Sequence, residues 1–140
     1  MRYLLDSGIA SDYMNRRCGV YERARTMSAQ GHVIGIAMPV LGELWTGAFN
    51  SISREKNLKL IARYRSHFTI WPFDETAAKK FGEVAAELIR VGRKMQQIDI
   101  QIAAIARTLG NCTVVSADGD FTAITGLKVE NWVSQIANTP

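Results

Sequence analysis

The sequence contains little of what stabilises small secreted domains or anchors a chain in a membrane. Its two cysteines, Cys18 and Cys112, lie far apart and form no C-x-x-C motif, so neither a disulfide framework nor a cysteine-type zinc site is indicated. The apolar residues at the amino terminus stop at Asp6, without a basic region before a long apolar run. That pattern argues against a signal peptide, and no run reaches the ~18 apolar residues of a membrane span. We expect a soluble cytoplasmic protein with reduced thiols.

The chain also lacks linker-like segments. It has no internal repeat, no low-complexity tract and no run rich in proline, glycine or serine, so nothing marks a domain boundary. A chain of 140 residues with 47% hydrophobic residues can bury roughly 68% of its unfolded surface. We therefore predict a single domain, residues 1–140, whose core is held by packing alone.

The net charge is modestly basic. Seventeen lysines and arginines against thirteen acids give +4 at pH 7. An excess of this size favours a polyanionic partner such as nucleic acid without requiring one.

Short apolar segments alternate with segments of helical periodicity. The apolar segments predict strands at residues 2–5, 32–37, 68–71, 112–115 and 127–132. Helical spacing, a first-turn Pro39 and candidate caps at Ser53 and Asp74 predict helices at residues 9–14, 20–29, 39–49, from 53 onwards, 74–92 and 98–110. The alternation predicts an α/β fold of three layers, α/β/α, with a mainly parallel central sheet.

Acidic residues fall where the strands of this sheet end. Asp6 ends the first strand, Glu43 lies about one turn inside the helix after the second, and Asp99 is in the first turn of the helix that starts near residue 98. Asp118 follows the fourth strand, and Asp120 comes two residues later. Ligand sites of open parallel sheets lie at the carboxyl ends of the strands. We therefore expect these side chains to converge.

Converging carboxylates repel one another and raise one another's pKa values, and a divalent cation removes that cost. Oxygen ligands without histidine or cysteine suit Mg²⁺ or Mn²⁺ better than Zn²⁺. Each acid alone has a simpler explanation: Asp6 as a helix start, Asp99 as a partner of the helix dipole, and Asp118 with Gly119 as a turn. Their joint placement favours the metal site.

Several segments, in this order and at these intervals, resemble the PIN-domain ribonucleases, and specifically VapC-like toxins of type II toxin–antitoxin systems. They are YLLD at residues 3–6, PVLGEL at 39–44, DIQIAA at 99–104, VSADGDF at 115–121, GL at 126–127 and ENW at 130–132. The resemblance covers essentially the whole chain. It implies a metal-dependent endoribonuclease that hydrolyses RNA phosphodiester bonds, with an antitoxin as partner and a homodimer as assembly.

The resemblance also implies roles for individual residues. The four acids that match the metal-binding, catalytic positions of the family are Asp6, Glu43, Asp99 and Asp118. Asp120 is then an outer or alternative metal ligand, and the hydroxyls of Ser7 and Ser116 support the site. Where the family has Asp-Thr-Asn, this chain has Asp6-Ser7-Gly8, which keeps a hydroxyl but lacks the amide.

Basic residues offer contacts for RNA. Arginine and lysine side chains expected near the carboxyl edge are those of Arg16, Arg17, Arg23, Arg25, Arg90, Arg93 and Lys94. Of these we single out Arg93 and Lys94 as RNA-binding residues. Trp45 and Phe49, on the helix that carries Glu43, are candidates to line a groove for the antitoxin.

Three other readings remain. A phosphoacceptor receiver domain needs an acid pair after the first strand, whereas Asp6 is followed by Ser7 and Gly8. A toprim-like metal site would use Asp118 and Asp120 but leaves Asp6 without a role. A PIN fold that only binds RNA or protein, without catalysis, is left open by the Ser7-Gly8 departure, whereas retention of all four acids argues against it.

Overall fold

The computed structural model describes residues 1–134, which contain a parallel β-sheet. The strands are β1 (Arg2–Leu5), β2 (Val33–Ala37), β3 (Thr69–Trp71), β4 (Cys112–Val115) and β5 (Lys128–Glu130), in the order β3-β2-β1-β4-β5. Every neighbouring pair is parallel. The predicted α/β class with a mainly parallel sheet is confirmed.

The helices connect these strands. They are α1 (Ser7–Met14), α2 (Val20–Ala29), α3 (Met38–Phe49), α4 (Arg54–Tyr64), α5 (Glu75–Arg90) and α6 (Gln97–Leu109). The crossovers from β1 to β2 and from β2 to β3 lead towards the edge of the sheet formed by β3. The crossover from β3 to β4 leads in the opposite direction, towards β5. Because parallel crossovers are right-handed, α1 to α4 cover one face and α5 and α6 cover the other. No helix within residues 1–134 is both long and apolar enough to cross a membrane.

The core lies on both faces of the central strands. Leu4 and Leu5 of β1 and Val114 and Val115 of β4 are fully buried, as expected for strands covered on both sides. Leu5 pairs in register with both Ile36 of β2 and Val115 of β4. The carboxyl ends of these three strands are therefore level, and the residues that follow them meet at one edge.

The predicted boundaries agree with the structure to within two residues, and the largest differences have local causes. The helix predicted from residue 9 begins at Ser7 because the Asp6 carboxylate accepts a hydrogen bond from the Ile9 amide at 2.9 Å. The strand predicted at 127–132 is shortened to 128–130 by turns at both ends. The Leu127 amide donates to the Ile124 carbonyl, and the Val133 amide donates to the Asn131 side chain.

The two predicted helix caps have different outcomes. Asp74 caps α5 as predicted, accepting a hydrogen bond from the Ala77 amide at 2.9 Å. The prediction for Ser53 is wrong because its side chain makes no capping hydrogen bond. Instead, the Ser53 amide donates to the hydroxyl of Ser51 at 3.0 Å, so a turn precedes α4.

Candidate active site

Asp6 is held at the carboxyl edge by the two elements that it joins. Its amide donates to the Val115 carbonyl at 3.1 Å, which extends the pairing of β1 with β4 by one residue. One carboxylate oxygen caps α1. The backbone and the side chain of Asp6 are therefore fixed before any ligand binds.

Ser116 connects Asp6 to the loop after β4. Its side chain is buried, with a relative exposure of 2%. The hydroxyl donates to Asp6 Oδ2 at 2.5 Å and accepts from the Asp118 amide at 2.9 Å. The Ser116 amide donates to the Glu130 carbonyl at 2.9 Å, which ties the loop to β5. A buried hydroxyl with both of its hydrogen-bonding functions used sets the relative positions of two acids.

Three carboxylates come close together at this edge. One carboxylate oxygen from each of Asp99, Asp118 and Asp120 lies within 4.8 Å of the others, and we call this group the carboxylate cluster. Asp99 comes from the first turn of α6. Asp118 accepts a hydrogen bond from the Asp120 amide at 2.9 Å, which caps a short 3₁₀ helix at Gly119–Ala123. Asp120, expected as an outer ligand, thus lies inside the closest group.

The electrostatics of the site show mutual repulsion. Burial, followed by the charges of Asp118, Asp6, Asp120 and Glu43, raises the pKa of Asp99 to about 6. Burial also raises the pKa of Asp6, although hydrogen bonds from Ser116 and from the Ile9 amide oppose the increase. A divalent cation would offset this repulsion, and carboxylate oxygens are the donors that Mg²⁺ and Mn²⁺ prefer. The residues present therefore fit such an ion.

Glu43 lies at the margin of the site. It is exposed on α3, and its charge is the weakest of the four that raise the pKa of Asp99. Glu43 and Ser7 both line a cavity of about 250 Å³ between α1, α3 and α4. The structure therefore places Glu43 and Ser7 beside the carboxylate cluster rather than within it.

Arg93 reaches the carboxylate cluster. Its guanidinium Nη2 lies 3.0 Å from Asp120 Oδ1, and both side chains are about half exposed, at 46% and 45%. Lys94, next in the chain, is exposed. The sequence indicated that Arg93 lies near the site, but it gave no signal for this ion pair between residues 27 positions apart.

Arg16 and Arg25 do not lie at the carboxyl edge, and that expectation is wrong. The Nε of Arg16 donates to the Tyr64 hydroxyl at 3.3 Å, at the end of α4. Arg25 lines a cavity with His32 and Thr69, beside the starts of β2 and β3. The eight residues of α1 rise about 12 Å at 1.5 Å per residue. The chain has therefore crossed the height of the sheet before it reaches Arg16.

Comparisons with known proteins agree with this geometry. A model of the PIN domain family matches residues 3–127. The chain is 30% identical over 133 residues to ribonuclease VapC2 of Haemophilus influenzae, covering 95% of this chain and 99% of that relative. It is 32% identical over 133 residues to the tRNA(fMet)-specific endonuclease VapC of Shigella flexneri, covering 94% and 98%.

The fold is also similar to that of a solved structure. In the crystal structure of VapBC2 from Rickettsia felis bound to a DNA fragment from their promoter, one chain superposes with a TM-score of 0.87. That chain is 28% identical to this one, and the match covers 94% of this chain and 99% of the other.

Proposed function

The chain belongs to the PIN-domain family, and from that membership we propose that it is a metal-dependent endoribonuclease acting as the toxin of a toxin–antitoxin pair. The observation that carries the proposal is the carboxylate cluster of Asp99, Asp118 and Asp120 at the carboxyl edge of the sheet. Two similar proteins bear the names ribonuclease VapC2 and tRNA(fMet)-specific endonuclease VapC. We propose that residues 1–140 form one nuclease domain that works in the cytoplasm.

We propose that the ion is Mg²⁺ or Mn²⁺, held by the carboxylate cluster together with Asp6 and with Glu43 at its margin. When bound, such an ion supplies positive charge to the phosphodiester undergoing hydrolysis and lowers the pKa of a bound water. The raised pKa of Asp99 supports this assignment, because a carboxylate whose pKa is raised by burial and by neighbouring acids is typical of functional sites.

The other residues have positioning and binding roles in this proposal. Ser116 holds the Asp6 carboxylate and the Asp118 backbone in fixed relative positions through its two hydrogen bonds. Ser7 supports the site from the start of α1. Arg93 and Lys94 bind phosphates of the RNA and draw the polyanion past the acids.

We propose that an antitoxin binds the cavity beside Glu43. Its walls include Leu44, Ala48 and Ile61. Phe49, one turn further along α3, is 53% exposed and lies near the ring of Trp45, with 6.3 Å between centroids. Polar side chains, among them those of Ser11, Arg17 and Asn57, share the cavity with these apolar ones and with Glu43. Such a mixed lining suits a peptide with both apolar and charged side chains. A homodimer of the nuclease completes the proposed assembly.

A catalytically silent binding module is the second candidate, and Gly8 is the observation that favours it. Gly8 stands where the family has an amide side chain, next to the oxygen of Asp6 that caps α1. Loss of that amide removes one group that orients the first acid.

An assay of RNA cleavage separates the two candidates. Protein freed of any co-purified partner is incubated with initiator tRNA and with an unstructured RNA, in Mg²⁺, Mn²⁺ or EDTA. We expect cleavage that needs the metal and is lost in Asp118→Asn but kept in Glu55→Gln, which removes an exposed acid on α4. If wild type and Asp118→Asn bind RNA equally and neither cleaves it, the nuclease proposal fails and the binding module replaces it.

A further inference from the structure

A polar cavity lies at the edge of the sheet opposite the carboxylate cluster. It has a volume of about 200 Å³, between α1, α2 and the starts of β2 and β3. The polar side chains that line it are those of Tyr13, Arg25, Ser28, His32, His67 and Thr69. We call this cavity the basic pocket.

The surroundings of the basic pocket are positively charged. Burial and then the charges of Arg25, Arg16 and Arg63 lower the pKa of His67. Among residues 1–134, none of these three arginines forms an ion pair with a carboxylate. Glu22 acts on Arg16 from a distance, and the three guanidinium groups together give the surroundings an excess of positive charge. Such an excess of one sign attracts a ligand of the other.

Hydrogen-bonding groups in the basic pocket are held in place before a ligand arrives. The hydroxyl of Tyr13 lies 2.7 Å from His67 Nδ1, which fixes the imidazole and leaves its Nε2 for another contact. His32 Nδ1 is buried and has no hydrogen-bond partner among the described residues. A buried polar atom without a partner is uncommon and often marks a functional position. Imidazole, guanidinium and hydroxyl groups together suit an anion with several acceptor oxygens.

Arg16 is also fixed in position. It has a left-handed backbone, with φ 53°, in the turn after α1. Its guanidinium lies over the ring of Tyr21, 4.0 Å from the centroid, and donates to the hydroxyl of Tyr64. This ordering lowers the entropic cost of using its charge for binding.

We propose that the basic pocket binds a phosphate group of the RNA backbone, remote from the phosphate that is cleaved. This inference rests on the proposed ribonuclease function. Asp6 caps the start of α1 and Tyr13 lies near its end, so the two sites lie towards opposite ends of a helix about 12 Å long. The pocket would therefore set the register of the RNA across the carboxylate cluster.

RNA binding tests the pocket separately from cleavage. Binding is measured by fluorescence anisotropy in EDTA with Asp99→Asn, which removes turnover, using a labelled initiator tRNA and a series of salt concentrations. Adding Arg25→Gln should weaken binding about fivefold and reduce the slope of log Kd against log salt by about one. Lys79→Gln, an equal loss of charge on an exposed residue of α5, should change neither. Ser28→Asp, which adds a negative charge at the rim, should weaken binding as Arg25→Gln does.

A phosphate titration identifies the source of the anion. Inorganic phosphate is added while the imidazole NMR signals of His32 and His67 are followed, with chloride at the same ionic strength as control. We expect saturable shifts in the wild type and none in Arg25→Gln. If these shifts occur but Arg25→Gln and Ser28→Asp bind RNA like Lys79→Gln, the pocket takes a free phosphate compound and the RNA proposal is overturned. If phosphate causes no shifts and Arg25→Gln and Ser28→Asp bind RNA normally, the RNA proposal is overturned as well.

The outcomes also distinguish this inference from the proposed function. If the wild type cleaves RNA in a metal-dependent way but Arg25→Gln binds RNA normally, the proposed nuclease function holds and the proposed role of the basic pocket is wrong. If Arg25→Gln binds RNA more weakly but the wild type does not cleave RNA, the role of the basic pocket is supported and the proposed nuclease function is wrong.

Discussion

The two edges of the sheet gather charge of opposite sign. Among the described residues, Asp120 is the one acid of the carboxylate cluster with an ion-pair partner, Arg93, and the arginines around the basic pocket have none. At the carboxyl edge, burial and neighbouring acids raise the pKa of Asp99 to about 6. At the amino edge, burial and neighbouring arginines lower the pKa of His67. Both shifts favour the neutral form, and in both places like charges contribute to the shift after burial.

In a third charged region of the same molecule, between α5 and α6, opposite charges form an ion pair. Arg107 donates to both carboxylate oxygens of Glu87, at 3.3 and 3.2 Å, and to the Thr125 carbonyl at 2.9 Å. The hydrogen bond from Arg107 lowers the pKa of Glu87. This pair is a structural contact. The comparison indicates that accumulation of like charge, rather than charge itself, distinguishes the two candidate binding sites from the structural ion pair of Arg107 and Glu87.

The largest effect is expected from Asp99→Asn, which should lower RNA cleavage on the order of 1000-fold. In EDTA at pH 7.5 the same change should raise the free energy of unfolding by about 1 to 2 kcal/mol, because it removes a charge that the fold disfavours. Cleavage rates and urea denaturation check the two effects. Glu55→Gln, which removes an acid from the first turn of α4, is the matched control: it should leave cleavage unchanged and, if anything, lower the free energy of unfolding.

Asp99 also predicts a pH dependence of stability. Its folded pKa is about 6, above the ordinary value of 3.8. The stabilising contribution of the protonated form is therefore complete below pH 3.8 and is lost as the pH rises through 6. In EDTA, wild type should gain stability relative to Asp99→Asn as the pH falls from 7 to 5. Parallel curves for the two proteins would contradict the raised pKa of Asp99.

Ser116→Ala should have the second largest effect. It removes the hydroxyl between the Asp6 carboxylate and the Asp118 amide, so cleavage should fall about 10- to 100-fold. Thr113→Val removes another buried hydroxyl from β4, one that contacts Met1 Sδ, and should leave cleavage nearly unchanged. Equal losses in both variants would mean that Ser116 contributes only to folding.

Arg93→Gln should change two affinities in opposite directions. It removes the cation paired with Asp120, so Mn²⁺ should bind about threefold more tightly and RNA about fivefold more weakly. Calorimetry and anisotropy measure the two affinities, and Lys79→Gln, at an exposed position of α5, is the control. Weakening of both affinities would show that the ion pair supports the site rather than competing with the metal.

Gly8→Asn should have the smallest effect. A Cβ at this position would lie 3.7 Å from Asp6 Oδ1, an ordinary contact, so the side chain fits. We expect the free energy of unfolding to rise by roughly a few tenths of a kcal/mol, because glycine is unfavourable inside a helix. Cleavage should rise by no more than about threefold. A large gain would show that the glycine limits activity, and a lower melting temperature would show that the side chain does not fit.

Much of the fold was predictable because its signals are local. Cys112–Val115 is one uninterrupted apolar run, and the structure has β4 with these bounds. Asp74 precedes an amphipathic segment and caps α5. Ser53 has the same type of local signal, yet its side chain makes no capping hydrogen bond. Local patterns therefore predict where a helix starts, but not whether the side chain at that position caps it.

The candidate sites were predictable only in part, because they depend on contacts between distant segments. Strand ends predicted where Asp6 and Asp118 meet, since parallel strands share one carboxyl edge. They did not predict that Asp120 joins Asp99 and Asp118 in the closest group, which depends on the 3₁₀ helix after β4. The basic pocket combines α1, α2 and the segment before β3, and no single segment signals it.

The most direct test of the account is Mn²⁺ binding to the carboxylate cluster, measured by isothermal titration calorimetry without RNA. Wild type, Asp99→Asn and Glu55→Gln are titrated at pH 7.5. We expect saturable binding of Mn²⁺ to wild type and to Glu55→Gln, and an affinity at least about tenfold lower for Asp99→Asn. Identical isotherms for all three proteins would contradict it.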